Sequence, residues 1–229
     1  MRLPEKNKRG IKMILKVLKI NTWIGDPTNC YLIADEEKNE AMIIDPAGDV
    51  DKIIAMLDIL KSKLKYIYLT HCHGDHIGGV EELRKRTNAK VLIHRIDSEG
   101  LNNKNISLTE YIGMEDILLE PDSRVDDEDL LHIGNIEFKV IHTPGHTKGS
   151  SCIYSEKYNM LFSGDTLFRG TWGRTDFPTS SFEDIINSIT KKLMLLPDET
   201  IVYPGHRKIN NDRRRKANLF RITRENILI

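Results

Sequence analysis

The chain has 229 residues, enough for one large domain, and its 39% hydrophobic content can supply a core. Thirty-four basic residues balance thirty-four acidic ones, so no global field draws in nucleic acid or an anionic membrane, and a charged substrate has to be selected locally. The three cysteines, Cys30, Cys72 and Cys152, are odd in number and scattered, which argues against a disulfide framework and makes a reducing cytoplasm the expected location.

Residues 1–12 are polar, basic and aperiodic, so a disordered N-terminal extension is expected ahead of a single domain over residues 13–229. The N-terminus lacks the apolar stretch of a secretory signal, and no apolar run reaches the ~20 residues of a membrane helix, so a soluble protein is expected. Apolar residues and lysines mostly alternate from Met13 to Ile20, and Cys30 to Ile33 and Ala41 to Ile44 read as short strands around a charged turn. Helical spacing returns over Val50 to Leu60. A β-rich run, Lys65 to Leu69, then delivers a histidine loop at its carboxyl end. A helix from Val80 to Arg86 and a strand from Val91 to His94 follow, whereas Ile96 to Asp129 has no readable period.

The second half restarts with strands at Ile136 to Ile141, Ser151 to Tyr154 and Met160 to Phe162. An amphipathic helix over Phe182 to Leu196 and a strand at Ile201 to Tyr203 come next. Both halves run strands, then helix, and strands outnumber βαβ units. An α/β (α+β) architecture of two packed sheets flanked by helices therefore fits better than a doubly wound sheet. The tail from Arg207 to Ile229 is basic at Arg213 to Lys216 and reads as a terminal helix or a docked extension, with the basic run on a solvated face.

The chemistry concentrates in His71-Cys72-His73-Gly74-Asp75-His76. Core packing has no need of three imidazoles and a carboxylate within six residues. His146 and His206 each follow a Pro-Gly pair, and Asp165 lies in Ser163-Gly164-Asp165-Thr166. In an extended loop residues i and i+2 face the same way, so His71 and His73 can grip one ion while Cys72 faces elsewhere. Asp75 and His76 can reach a neighbouring ion, and Asp165 is the natural bridge. Imidazole and carboxylate without thiolate suit zinc, and also iron or manganese. Two divalent ions, zinc first, are the expected cofactors.

His-x-His-x-Asp-His, Thr143-Pro144-Gly145-His146-Thr147, Ser163-Gly164-Asp165-Thr166 and Pro204-Gly205-His206, in this order, resemble the metallo-β-lactamase-fold hydrolases. The resemblance implies a four-layer αββα sandwich. It also implies that His71, His73 and His146 hold one metal and Asp75, His76 and His206 the other, with Asp165 between them and Asp45 supporting the ligands from behind. Leu167-Phe168, Gly173-Arg174-Thr175-Asp176-Phe177-Pro178 and Leu196-Pro197-Asp198-Glu199-Thr200 further resemble the short glyoxalase II-like branch, the hydroxyacylglutathione hydrolases. That branch implies hydrolysis of a small-molecule thioester by a metal-bridging hydroxide, with Asp75 and Asp165 as the catalytic carboxylates.

Lys148, Arg207 and Lys208 depart from the family pattern and are candidates to grip a substrate carboxylate. Full-length glyoxalase II has a helical C-terminal domain carrying glutathione contacts, and about twenty residues follow His206 here. Alternative readings are hydrolysis of lactones or other activated esters, and a mononuclear iron persulfide dioxygenase, whose Gly-Arg-Thr-Asp-Phe segment is usually followed by glutamine where this chain has Pro178. An RNA-binding protein with a structural metal site ranks last. The expected roles of Cys72, His94, His132, His142, Arg174 and Asp176 are structural.

Overall fold

Lysines among apolar residues suit a sheet edge, where one face is wet and unpaired backbone must be guarded. In the computed structural model, which describes residues 12–22, 27–114 and 119–209, β1 (Met13–Ile20) is such an edge. It pairs antiparallel with β2 (Thr28–Asp35), which pairs antiparallel with β3 (Glu40–Ile44). Every residue of β2 is buried, as its continuous apolar run requires of a strand covered on both faces. The remaining strands of this six-stranded sheet, β4 (Lys63–Leu69), β5 (Lys90–His94) and β6 (Ser123–Val125), continue it in parallel.

Parallel neighbours need crossovers. Helix α1 (Val50–Leu60) supplies the first, with Val50, Ile53 and Leu57 turned inward, and α3 (Val80–Thr87) supplies the second through Val80 and Leu83. Between β4 and α3 lies the one-turn α2 (Gly74–Ile77). The described residues of the unreadable segment after β5 form short turns, including α4 (Lys104–Ser107), and β6.

The second sheet has five strands among the described residues: β7 (Leu130–Ile133), β8 (Ile136–His142), β9 (Ser151–Ser155), β10 (Met160–Gly164) and a final strand over Ile201–Pro204. A two-stranded ribbon, β11 (Leu167–Phe168) with β12 (Thr171–Trp172), follows β10, so the final strand is β13. Because β10 and β13 run parallel, α5 (Phe182–Lys191) crosses between them. Its start is capped by Ser181, which accepts a hydrogen bond from the Asp184 N–H. The helix ends five residues before the expected Leu196. Lys192 leaves helical geometry, one 3-10 turn follows over Leu193–Leu195, and Leu196 is extended ahead of Pro197, since a residue preceding proline avoids the α region.

Period-two alternation sorts the side chains into layers. Leu32, Ile43, Ile67 and Ile93 face α1 and α3, while Ile33, Ile44, Tyr68 and Leu92 face the second sheet and meet Phe138, Ile153 and Phe162. On the far face of that sheet Ile141, Cys152 and Leu161 pack on Ile185 and Ile189 of α5. The order is helix, sheet, sheet, helix. Burying each large side chain contributes about 1.5–3 kcal/mol. No helix among the described residues is long and apolar enough to cross a membrane.

Lys12 is joined to the sheet through a 2.7 Å ion pair with Glu36. Residues 1–11 and the basic run Arg213 to Lys216 lie outside the described residues.

Candidate metal centre

All the candidate ligands leave the carboxyl ends of strands on one edge of the sandwich. β4 ends at Leu69 and runs through Thr70 into the histidine loop, β8 precedes His146, β10 precedes Asp165 and β13 precedes His206. The β10–β13 register shifts between Phe162 and Gly164, so an irregularity re-aims the chain just before Asp165. Two glycines are required by geometry. Gly145 has φ +139 and lies against the Ile185 backbone, and a Cβ on Gly205 would come within 2.3 Å of the Asp165 Oδ1.

Hydrogen bonds on the outer side of the rings fix which nitrogen faces inward. His76 Nδ1 donates to Asp45 Oδ2 at 2.9 Å, and His146 Nδ1 donates to the Arg174 carbonyl at 2.8 Å. His71 Nδ1 donates to Thr70 Oγ1 at 3.0 Å, whose hydroxyl donates in turn to Asp45 Oδ2 at 2.7 Å. His206 Nδ1 reaches the Pro27 carbonyl at 3.3 Å. Each of these four rings therefore directs Nε2 towards the centre. His73 instead turns Nδ1 inward, 2.9 Å from His146 Nε2.

The inward atoms fall into overlapping triads, His71 with His73 and His146, His71 with His76 and Asp165, and Asp75 with His76 and His206; within each triad the atoms lie within 4.8 Å of one another. Asp165 spans the groups, with Oδ1 3.5 Å from His76 Nε2 and Oδ2 3.7 Å from His146 Nε2 and 3.6 Å from His206 Nε2. Asp75 Oδ2 lies 3.2 Å from His206 Nε2. His71 Nε2 and Asp165 Oδ1 are buried without a hydrogen-bond partner among the described residues. Buried polar atoms are ordinarily paired, so converging unpaired donor atoms fit a pair of cations.

The electrostatics agree. Burial, reinforced by neighbouring imidazoles, holds His71 and His73 well below the usual histidine range, in the neutral form a metal ligand needs. Burial opposes charge on His76 as well, but Asp75, Asp165 and Asp45 outweigh it and carry the ring up to about 10. Burial likewise works against an Asp75 anion, yet His76 and His206 hold that carboxyl below its ordinary range. Three carboxylates thus demand positive charge at this point, and the donor set of imidazole and carboxylate suits a divalent ion.

The centre opens into a cavity of about 570 Å³. Its walls are Leu108, Tyr111 and Ile112 from the segment without sequence period, and Phe168, Trp172 and Phe177 from the stretch after Asp165. Of the three candidate substrate cations only Arg207 lines it, with its guanidinium 5.5 Å from the Phe168 ring centre. Lys148 and Lys208 are exposed and absent from the cavity wall, because the turn after His146 and the chain after Arg207 direct them outward. Arg174 and Asp176 pair as expected, at 2.9 and 2.8 Å, and both also line the cavity.

Asn29 and Asp97, which contact the ligand loops, carried no signal in the sequence, since neither stands in a motif. Cys72 is buried, with its thiol pushed up by burial and by Asp97. His132 pairs with Glu137 on the surface. His94 is buried and stacks on His142 with ring centres 4.0 Å apart. Burial, then the neighbouring His142, bring His94 down to about 4. The unfolded ring titrates near ~6.5, so its contribution to stability is complete above that pH. The contribution is lost as the pH falls from 6.5 towards 4, where the unfolded chain takes up the proton first. His94→Phe, which keeps the stack, should therefore flatten the fall of Tm across that window; parallel Tm curves for the two proteins would refute it.

The Metallo-beta-lactamase superfamily profile matches residues 23–206. The chain is 36% identical over 187 residues to the hydroxyacylglutathione hydrolase GloC of Haemophilus influenzae, spanning 78% of this chain and 84% of that one. Among solved structures it is similar to the BLEG-1 B3 metallo-beta-lactamase, with TM-score 0.81 and 32% identity over 90% of this chain and 97% of the other. It is also similar to TTHA1623 in a di-iron-bound form, with TM-score 0.77 and 28% identity over 89% of this chain and 98% of the other.

Proposed function

The chain belongs to the metallo-beta-lactamase superfamily, and from that premise we propose that it is a dinuclear metallo-hydrolase of small thioesters. The observation that supports this most is Asp165, whose two carboxylate oxygens face different histidines of a seven-residue ligand set at the floor of an open cavity. His71, His73 and His146 would hold one divalent ion and Asp75, His76 and His206 the other, with Asp165 shared. Ions held there would make hydroxide available at neutral pH and would polarise the carbonyl.

The protein's own groups orient the reaction. Asp75 lines the cavity and stays ionised, so its carboxylate accepts a hydrogen bond from the attacking oxygen and fixes its direction. Leu108 and Ile112 on one side and Phe168, Trp172 and Phe177 on the other hold the apolar part of the substrate and keep bulk water from it. Outside the ligand set, the titratable groups in the described wall are Tyr111, Arg174, Asp176 and Arg207, and two of these are paired with each other. A thiolate suits such a site, because a leaving group of pKa about 8.5 departs without a dedicated acid.

Arg207 is proposed to receive an anionic end of the substrate. Arg207→Ala should raise KM about tenfold for carboxylate-bearing thioesters, with kcat little changed, and leave uncharged thioesters unaffected. Equal effects on both kinds would remove the assignment. The reading as a whole is tested by elemental analysis of protein loaded with zinc, manganese or ferrous iron, alongside a thioester panel. Close to two ions per chain and chelator-sensitive thioester hydrolysis are expected. Hydrolysis that survives metal removal would overturn the reading. A single iron with oxygen consumption on glutathione persulfide would replace it by the dioxygenase alternative.

A further inference from the structure

Asp45 supports both sides of the centre, His76 directly and His71 through Thr70, whereas two other groups of buried polar residues each serve one side only. Asp97, at the first turn after β5, is 3% exposed, and its nearest polar partners all belong to the loops of one ligand triad. Its Oδ2 accepts from the Cys72 N–H at 3.1 Å, between His71 and His73, and from the Thr147 hydroxyl at 2.7 Å, next to His146. Its Oδ1 accepts from the Gly149 N–H at 2.7 Å. One buried carboxylate thereby ties the His-Cys-His loop to the Pro-Gly-His146 loop. Gly149 lies so close that an added Cβ would fall 2.5 Å from Oδ1.

The start of β2 does the corresponding task on the other side. Thr28 Oγ1 donates to the Asp75 carbonyl at 2.9 Å. The next residue, Asn29, is fully buried and donates through Nδ2 to the Pro204 carbonyl at 2.7 Å and the Arg207 carbonyl at 3.2 Å, while its backbone N–H reaches the Gly205 carbonyl at 2.6 Å. Two adjacent residues thus tie the Asp75 loop to the His206 loop.

We infer that each metal position has its own polar clamp, Asp97 for the one formed by His71, His73 and His146, and Thr28 with Asn29 for the one formed by Asp75, His76 and His206, so that the two ions can be weakened separately. The inference rests on the dinuclear reading above. Neither clamp touches the proposed reacting atoms, and both act by positioning. Asp97→Asn keeps the volume but places an amide NH2 against a backbone N–H, of Cys72 or of Gly149, that then has no acceptor. Asn29→Asp puts an oxygen against two carbonyl oxygens.

The test compares zinc affinity in two single-site backgrounds, His206→Ala and His146→Ala, by competition with a chromophoric chelator. Asp97→Asn should weaken the remaining ion about 10- to 100-fold in the His206→Ala chain and less than about threefold in the His146→Ala chain, and Asn29→Asp should show the reverse. A merely structural role would lower Tm and weaken both backgrounds alike, which overturns the inference, as does no effect in either. Thr147→Val and Thr28→Val carry the same comparison with milder changes if the first pair fails to fold. A wild-type chain that never takes a second zinc would sink the dinuclear reading and this inference with it. Two ions in wild type without the crossed pattern would sink the inference alone.

Discussion

Asp165→Ala is expected to abolish thioester hydrolysis and to leave the purified chain with fewer than two ions, while its circular dichroism remains that of wild type. Asp165 is the carboxylate whose two oxygens address both sides of the centre, at 3.5 Å from His76 and 3.6 to 3.7 Å from His206 and His146. Losing an outer support of a metal ligand typically costs about 10- to 100-fold in affinity or activity, and removing a shared ligand should exceed that. Asp165→Asn separates charge from shape, since an amide keeps the volume but offers one acceptor oxygen instead of two. It should lose activity nearly as fully. A folded Asp165→Ala chain with two ions and wild-type turnover would remove Asp165 from the centre.

Asp45→Ala should be nearly as damaging, and for both ions together. Asp45 is almost completely buried at the end of β3, where its backbone takes φ +51. Its carboxylate accepts from the Thr70 N–H at 2.8 Å, the Thr70 hydroxyl at 2.7 Å and His76 Nδ1 at 2.9 Å. Through Thr70 it steadies His71, and directly it steadies His76, so it backs one ligand from each side. Breaking a buried charged pair by deleting one partner costs about 3–5 kcal/mol, and metal affinity should fall about 10- to 100-fold. Denaturant unfolding and chelator competition measure the two losses. A folded Asp45→Ala protein that binds both ions as tightly as wild type would leave Asp45 with no part in holding them.

Much of the sandwich was legible because its strands are long enough to show a period. Val50 to Leu60 was placed to the residue, and β4, α3, β5 and β8 to β10 within two residues. Errors arose where local pattern and tertiary context compete. The apolar spacing of Phe182 to Leu196 continues past the end of α5, but Pro197 forces Leu196 out of the helix. Strand β7 was missed because its four residues alternate between buried and exposed inside a polar stretch, too briefly to establish a period. The segment from Ile96 to Asp129 gave no reading because its described residues form single turns, each set by its own hydrogen bonds, and the three-residue strand β6, too short to show a period.

The sequence by itself picked out the candidate ligands, since histidines and aspartates at strand ends, next to Pro-Gly and Ser-Gly pairs, mark chain reversals where chemistry can be held rigidly. It could not determine which cations look into the cavity. Lys148, Arg207 and Lys208 are alike in composition and nearness to a ligand, yet only Arg207 lines the wall. Nor could it show Asp97 or Asn29, which lie about 25 and 175 residues from the loops they hold. A candidate ligand is recognised by its local chemistry, whereas the direction of a side chain and the partner of a buried polar group exist only once two sheets have packed and brought distant loops to a common edge.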